Sequence, residues 1–142
     1  MIPSTLLADV FEALPVASFL VDTDGVVLLA NLLGRGMVKE TPESIASEPR
    51  RAGTMLHCVH AENDLGGCGR GKACADCNLR GVVGDAVRTG RPARRHVTMT
   101  LRAEGRLVGI QGSASAAPIT FAGTQLAVVT LQDAAPAPGA GS

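Results

Sequence analysis

Leu14-Pro-Val-Ala-Ser-Phe-Leu-Val-Asp-Thr-Asp-Gly-Val-Val-Leu-Leu-Ala-Asn31 is the stretch that decides the fold. Two apolar runs, Val16 to Val21 and Val26 to Leu29, flank the turn residues Asp22-Thr23-Asp24-Gly25. That pattern predicts a β-hairpin, because Asp and Gly tolerate the backbone angles a tight turn requires. Asn31 follows the second strand and can cap the turn or a short helix through Met37 and Val38, although Gly34 and Gly36 weaken that helix.

Working outward, residues 4–14 read as a helix. Leu6, Leu7, Val10, Phe11 and Leu14 recur at helical spacing, Ser4 or Thr5 can cap it, and Pro15 stops it. Its stripe suits either the chain's own core or a dimer contact. Thr41-Pro42-Glu43-Ser44 reads as another helix start with Pro in the first turn, and Glu48 to Gly53 as polar loop. A further helix begins near Cys77 and covers Leu79, Val82, Val83, Ala86 and Val87 before Thr89-Gly90-Arg91-Pro92 ends it. The period then changes to two, with Val97, Met99 and Leu101 alternating with Thr98, Thr100 and Arg102. Arg106 to Ala117 and Leu126 to Gln132 supply two more strands, separated by a loop over 118–124. The order of helix, two strands, helical middle and three strands implies an α+β domain whose antiparallel sheet has helices on one face.

Composition narrows the function. The 142 residues fit one domain, and 46% hydrophobic against 18% charged residues argues for a packed core. Lys+Arg and Asp+Glu are balanced at 13 each, so no field draws the chain to nucleic acid or a membrane surface. Arg88, Arg91, Arg94 and Arg95 are too sparse to change that and read as a solvated face. No apolar run approaches the ~20 residues of a membrane span. The first residues carry Asp9 and Glu12 without a basic n-region, unlike a signal peptide, and the expected location is cytoplasmic.

The anomaly is cysteine. Cys58, Cys68, Cys74 and Cys77 all fall within 20 residues. In a cytosolic chain such clustering points to a metal, a cluster or thiol redox chemistry more than to structural disulfides. Cys74-Ala-Asp-Cys77 can aim two thiolates at one metal from a tight turn, while Gly66, Gly67, Gly69 and Gly71 let the other two fold back. Arg70 and Lys72 would offset thiolate charge. Four thiolates suit tetrahedral zinc or an iron–sulfur cluster. A thiol–disulfide switch, or four inert thiols, also fits the residues.

Enzyme chemistry finds less support. A thiol oxidoreductase places Cys-x-x-Cys at a helix start in a βαβ fold, whereas this sheet reads antiparallel. The His residues are few and offer no Ser–His–Asp arrangement, and Gly67-Cys-Gly-Arg-Gly-Lys72 lacks the P-loop spacing. No catalysis is expected.

In this order, several pieces resemble a PAS domain over about residues 9–133. They are Leu14-Pro15-Val16, Val21 to Gly25, Asn31, Ala86 to Pro92 and Val129-Thr130-Leu131-Gln132-Asp133. Leu56-His57-Cys58 with Gly67-Cys68-Gly69 and Cys74 to Cys77 is similar to a cysteine-bearing PAS subgroup of bacterial signalling sensors. The resemblance implies a five-stranded antiparallel sheet with helices on one face. It divides the chain into an N-terminal helix (1–15), a sensory domain (16–133) with a cysteine-rich segment (56–80), and a flexible tail (134–142). It also implies a homodimer that signals to an effector such as a histidine kinase. Cys58, Cys68, Cys74 and Cys77 would then hold an oxygen- or redox-responsive iron–sulfur cluster, of the 4Fe-4S kind, with zinc or no metal as the alternatives. The Asn-Cys-Arg-Phe-Leu-Gln motif of flavin-binding light sensors is missing. A haem would need His57, His60 or His96, and His96 falls on the polar side of its strand.

Overall fold

The structure is a computed structural model that describes residues 3–56, 58 and 77–133. Helix α1 (Ser4–Ala13) leads into β1 (Ala17–Asp22) and β2 (Val27–Ala30). Three short helices follow, α2 (Leu32–Val38), α3 (Pro42–Ser47) and α4 (Ala52–Met55). After the cysteine-rich segment come α5 (Asn78–Thr89) and the strands β3 (Ala93–Ala103), β4 (Arg106–Phe121) and β5 (Thr124–Asp133). The strands form one antiparallel sheet in the order β2-β1-β5-β4-β3.

The predicted first hairpin forms. Asp22 Oδ1 accepts from the N–H of Asp24 (2.9 Å) and of Val26 (3.0 Å), and Gly25 takes φ +83°. This is an Asx turn closed by the one residue type that enters that region without strain. A bulge between Leu20 and Val21 leaves Leu28 unpaired.

Direct cross-strand partners share a face, so the register separates the two sides of the sheet. Phe19, Val129 and Ala116 form one inward row, and Ala17, Leu131 and Ala114 another. All six are buried, together with Val97 and Met99 of β3. Helix α5 covers this face with Leu79, Val82, Val83 and Ala86, the stripe expected from the sequence. Burying Leu79, Val82 and Val83 contributes about 1.5–3 kcal/mol each. Gly90 ends α5 in the left-handed conformation, φ +69°.

Three details differ from the sequence reading, and a fourth decides an alternative it left open. β4 continues through Pro118 to Phe121, and Ala122-Gly123 closes a two-residue turn with both φ positive. Pro118 is tolerated because β3 pairs with β4 only as far as Ala116, leaving Pro118 with a single neighbour, Ala127 of β5. Ala52 and Gly53 belong to α4 rather than to a loop, because Arg50 and Arg51 dock on β2 (Val27 N–H to Arg50 O, 2.8 Å) and launch a helical turn. Pro3, not Ser4 or Thr5, is the N-cap of α1, with no side-chain bond. Finally, α1 buries none of its residues: Leu6, Leu7 and Val10 are exposed, so the stripe does not enter this chain's core. The helix is held at its end by Glu12, whose carboxylate receives two bonds from Arg35 of α2 (2.7 and 2.5 Å). The tail at 134–142 lies outside the described residues.

Candidate functional site

Of the four candidate ligands, the described residues include Cys58 and Cys77. Cys58 is buried, its N–H bonds Gly53 O at 2.8 Å, and it forms an antiparallel bridge with Leu101 of β3. Cys77 is the N-cap of α5, partly buried against the same hydrophobic cluster that contains Cys58. Both are free thiols. Cys68 and Cys74, with His57 and His60, lie outside the described residues. Among the described residues, no group of three or more His, Cys, Asp or Glu side chains converges.

The two described thiols are donors of the kind a thiolate-ligated centre uses. Two soft sulfurs are held on rigid neighbours, one against the edge of β3 and one at the mouth of a 12-residue helix. The first N–H groups of α5 have no partner within the helix, and they favour negative charge near Cys77.

His96 stands on the sheet face away from the helices, its Nε2 3.4 Å from Thr98 Oγ1. That agrees with the polar strand side expected from the sequence and separates it from the inner face. On the inner face, Met37, Val97, Met99, Ile110 and Leu131 line a cavity of about 10 Å³. It has room for one water molecule.

Two polar joints flank this region. Asn31 is wholly buried and makes four side-chain bonds. Its Oδ1 accepts from Ser18 N–H (2.9 Å) and Gly34 N–H (2.8 Å), and its Nδ2 donates to Leu14 O (3.2 Å) and Val16 O (2.9 Å). One side chain thus caps α2 and ties it to the entry of β1. Gly34 is required here, since a Cβ would stand 2.9 Å from Ser18 O.

At the opposite end, Arg95 of β3 binds Asp85 of α5 through Nε (2.7 Å) and Nη2 (3.1 Å). Arg88 Nη2 adds a third bond to Asp85, at 3.0 Å. These hydrogen bonds, first from Arg95 and then from Arg88, hold the Asp85 carboxyl below its usual range. Arg88 stays largely solvated, as the sequence suggested, whereas Arg95 is drawn over α5 onto Asp85 and is only partly exposed. Parity carried the signal: Arg95 shares the inward register of Val97 and Met99, and a charge there requires a partner.

A five-stranded antiparallel sheet in the order β2-β1-β5-β4-β3, with the intervening helices on one face, has many solved counterparts. The PAS domain of nitrogen regulation protein NR(II) from Vibrio parahaemolyticus superposes with a TM-score of 0.59 at 15% identity, covering 91% of this chain and 98% of that one. The fold is that of a PAS domain. A PAS domain from a two-component sensor histidine kinase gives 0.57 at 11% identity, covering 92% and 96%. The LOV protein of Rhodobacter sphaeroides gives 0.61 at 16%, covering 97% of this chain and 70% of that one. No family model and no curated protein matches the sequence. At these identities the PAS likeness is one of architecture. Among the described residues no helix is long and apolar enough to cross a membrane.

Proposed function

We propose that this chain is a cytoplasmic PAS sensory module that reads oxygen or redox state through Cys58, Cys68, Cys74 and Cys77, and signals to a separate or detached effector such as a histidine kinase. The observation that carries this reading is the seating of Cys58 and Cys77. They stand at the two ends of the cysteine-rich segment and pack on one core, so a centre held by that segment would be fastened to β3 and α5 together. The setting of PAS neighbours in nitrogen regulation and sensor kinases supports a signalling role. When bound, an iron–sulfur cluster supplies a one-electron centre that oxygen can destroy. The chain's own residues fix the sulfurs, partly shield Cys58 and Cys77 from solvent, and transmit displacement of Cys77 into α5. No substrate is turned over.

The test is anaerobic purification with a visible spectrum and assays of iron, zinc and acid-labile sulfide. Brown protein with iron and sulfide, bleached by air and lost in Cys77→Ser, is expected. Colourless zinc protein would make the site structural. Metal-free protein whose thiols cycle to disulfides would make it a thiol switch.

A homodimer accompanies this reading. A ten-residue helix is marginal in water unless it packs, yet α1 exposes Leu6, Leu7 and Val10. The outer sheet face offers an apolar row, Leu29, Leu20, Val128 and Ala117, set by the register. A second copy would cover both surfaces. Sedimentation should show a dimer that Leu7→Glu converts to monomer; a monomeric parent chain would end the dimer reading.

A further inference from the structure

Cys77 caps helix α5 and Cys58 bridges to strand β3, and one side chain joins the two elements. Arg95 stands opposite Ala114 in the inward register of β3, two residues from the buried Val97. Its guanidinium crosses α5 and meets two of that helix's side chains. Nε and Nη2 grip Asp85 in a two-pronged bond, and Nη1 donates to Asn78 Oδ1 at 3.1 Å. Asn78 in turn donates from Nδ2 to the backbone O of His96, at 2.8 Å. Between them, Gly81 clears the path: a Cβ there would stand 2.2 Å from Arg95 Nη1 and 2.6 Å from Cζ. Positions 78, 81 and 85 follow one another along a single helix face, so one guanidinium is cradled over two turns.

Glycine is unfavourable inside a helix, and a charge is unfavourable at an inward strand position. Each explains the other, and together they form a directional joint. Apolar packing under α5 has no preferred direction and would let the helix slide, whereas a planar fork gripping a carboxylate fixes angle as well as distance. The joint begins one residue after Cys77. Any displacement of Cys77 moves Asn78, and Asn78 is bonded to both the side chain of Arg95 and the backbone of His96.

We propose that the Arg95 fork, with Asn78, Gly81 and Asp85, is the coupling element that passes a change at the Cys77 end of α5 into β3 and its partner β4. Arg95 is a positioning residue. The inference rests on the reading above only for its physiological trigger, a change of state at the cysteines.

Amide hydrogen exchange on the full chain tests it. Cys77→Ser serves as the perturbation, in the parent and in Asp85→Asn. In the parent background Cys77→Ser should speed exchange both in α5 and at residues 94–100 of β3, the latter at least fivefold. In Asp85→Asn the α5 response should persist while the β3 response falls below twofold. Arg95→Lys keeps the charge but lacks the fork, and should reproduce that loss. An equal β3 response in all backgrounds, or none in the parent, overturns the proposal. Failure of both fork variants to fold overturns it too, by assigning the fork to stability alone. Iron and sulfide assays on the same preparations separate the two readings. Coupling without iron defeats the cluster and leaves the fork standing, whereas iron with a fork-independent β3 response defeats the fork alone.

Discussion

At the β2–β1 end of the sheet, α2 hangs on a buried neutral amide; at the β3 end, α5 hangs on an ion pair open to water. Asn31 satisfies four backbone groups inside the protein, where no water can replace it. Arg95 and Asp85 remain 37% and 23% exposed, so water and salt compete for every bond they make. The first joint can only be intact or broken. The second can loosen by degrees, and it begins one residue after Cys77. The contrast separates a part of the fold that holds still from a part built to yield.

Asn31→Ala should do the most damage. It strands the N–H groups of Ser18 and Gly34 and removes both donors to Leu14 O and Val16 O, a loss of about 3 kcal/mol. Urea denaturation reads it directly, and an unmoved midpoint would break the comparison at its stronger side.

Glycine substitutions come next, because each helix holds a tight glycine and an open one. Gly34→Ala drives a Cβ against backbone at 2.9 Å and should destabilise by about 1–3 kcal/mol. Gly36→Ala meets nothing within 4 Å and should stabilise by about 0.5–1 kcal/mol. In α5, Gly81→Ala displaces only the end of a flexible side chain, so it should alter β3 exchange more than the denaturation midpoint. Gly84→Ala, in open space, should be benign. Equal effects at Gly81 and Gly84 would remove the fork's special status.

Acid should separate the two ends further. The folded-state carboxyl of Asp85 lies below its usual value, held there chiefly by Arg95, so its contribution is complete above the usual carboxylate range. That contribution is lost as pH falls through the lowered folded value. Asn31 does not titrate, whereas the Glu12 carboxyl, lowered by its bonds from Arg35 of α2, does. Exchange in α5, in β3 and at the α1–α2 contact should therefore rise in acid before exchange in β1; the reverse order would contradict the assignment. The smallest effect is that of salt: near 1 M the screening length shrinks to about 3 Å, which should soften the β3 end and the Glu12–Arg35 pair and leave the bonds of Asn31 unchanged.

Much of this was legible in the sequence because it is local. Asp22 to Gly25 specifies its turn, and Thr41-Pro42-Glu43-Ser44 writes its own capping box, with Thr41 and Ser44 bonding reciprocally as the structure shows. Alternation along β3 and the stripe of α5 follow from periods of two and 3.6. Pro118 misled in the other direction: proline argues against a strand, and only the shorter reach of β3 makes room for it at an edge. The cysteine spacing named four candidate ligands, of which the described residues place Cys58 and Cys77 on one core.

The sequence alone determined the order of elements and the clustering of thiols, since each depends on residues near one another in the chain. Tertiary structure alone decided that Arg95 meets Asp85 and Asn78 across the space above Gly81, and that α1 turns its apolar stripe away from its own core. Those outcomes depend on which strand neighbours which and which helix lies across it. Short-range periodicity carries no information about either, because they are settled by packing between segments far apart in the chain.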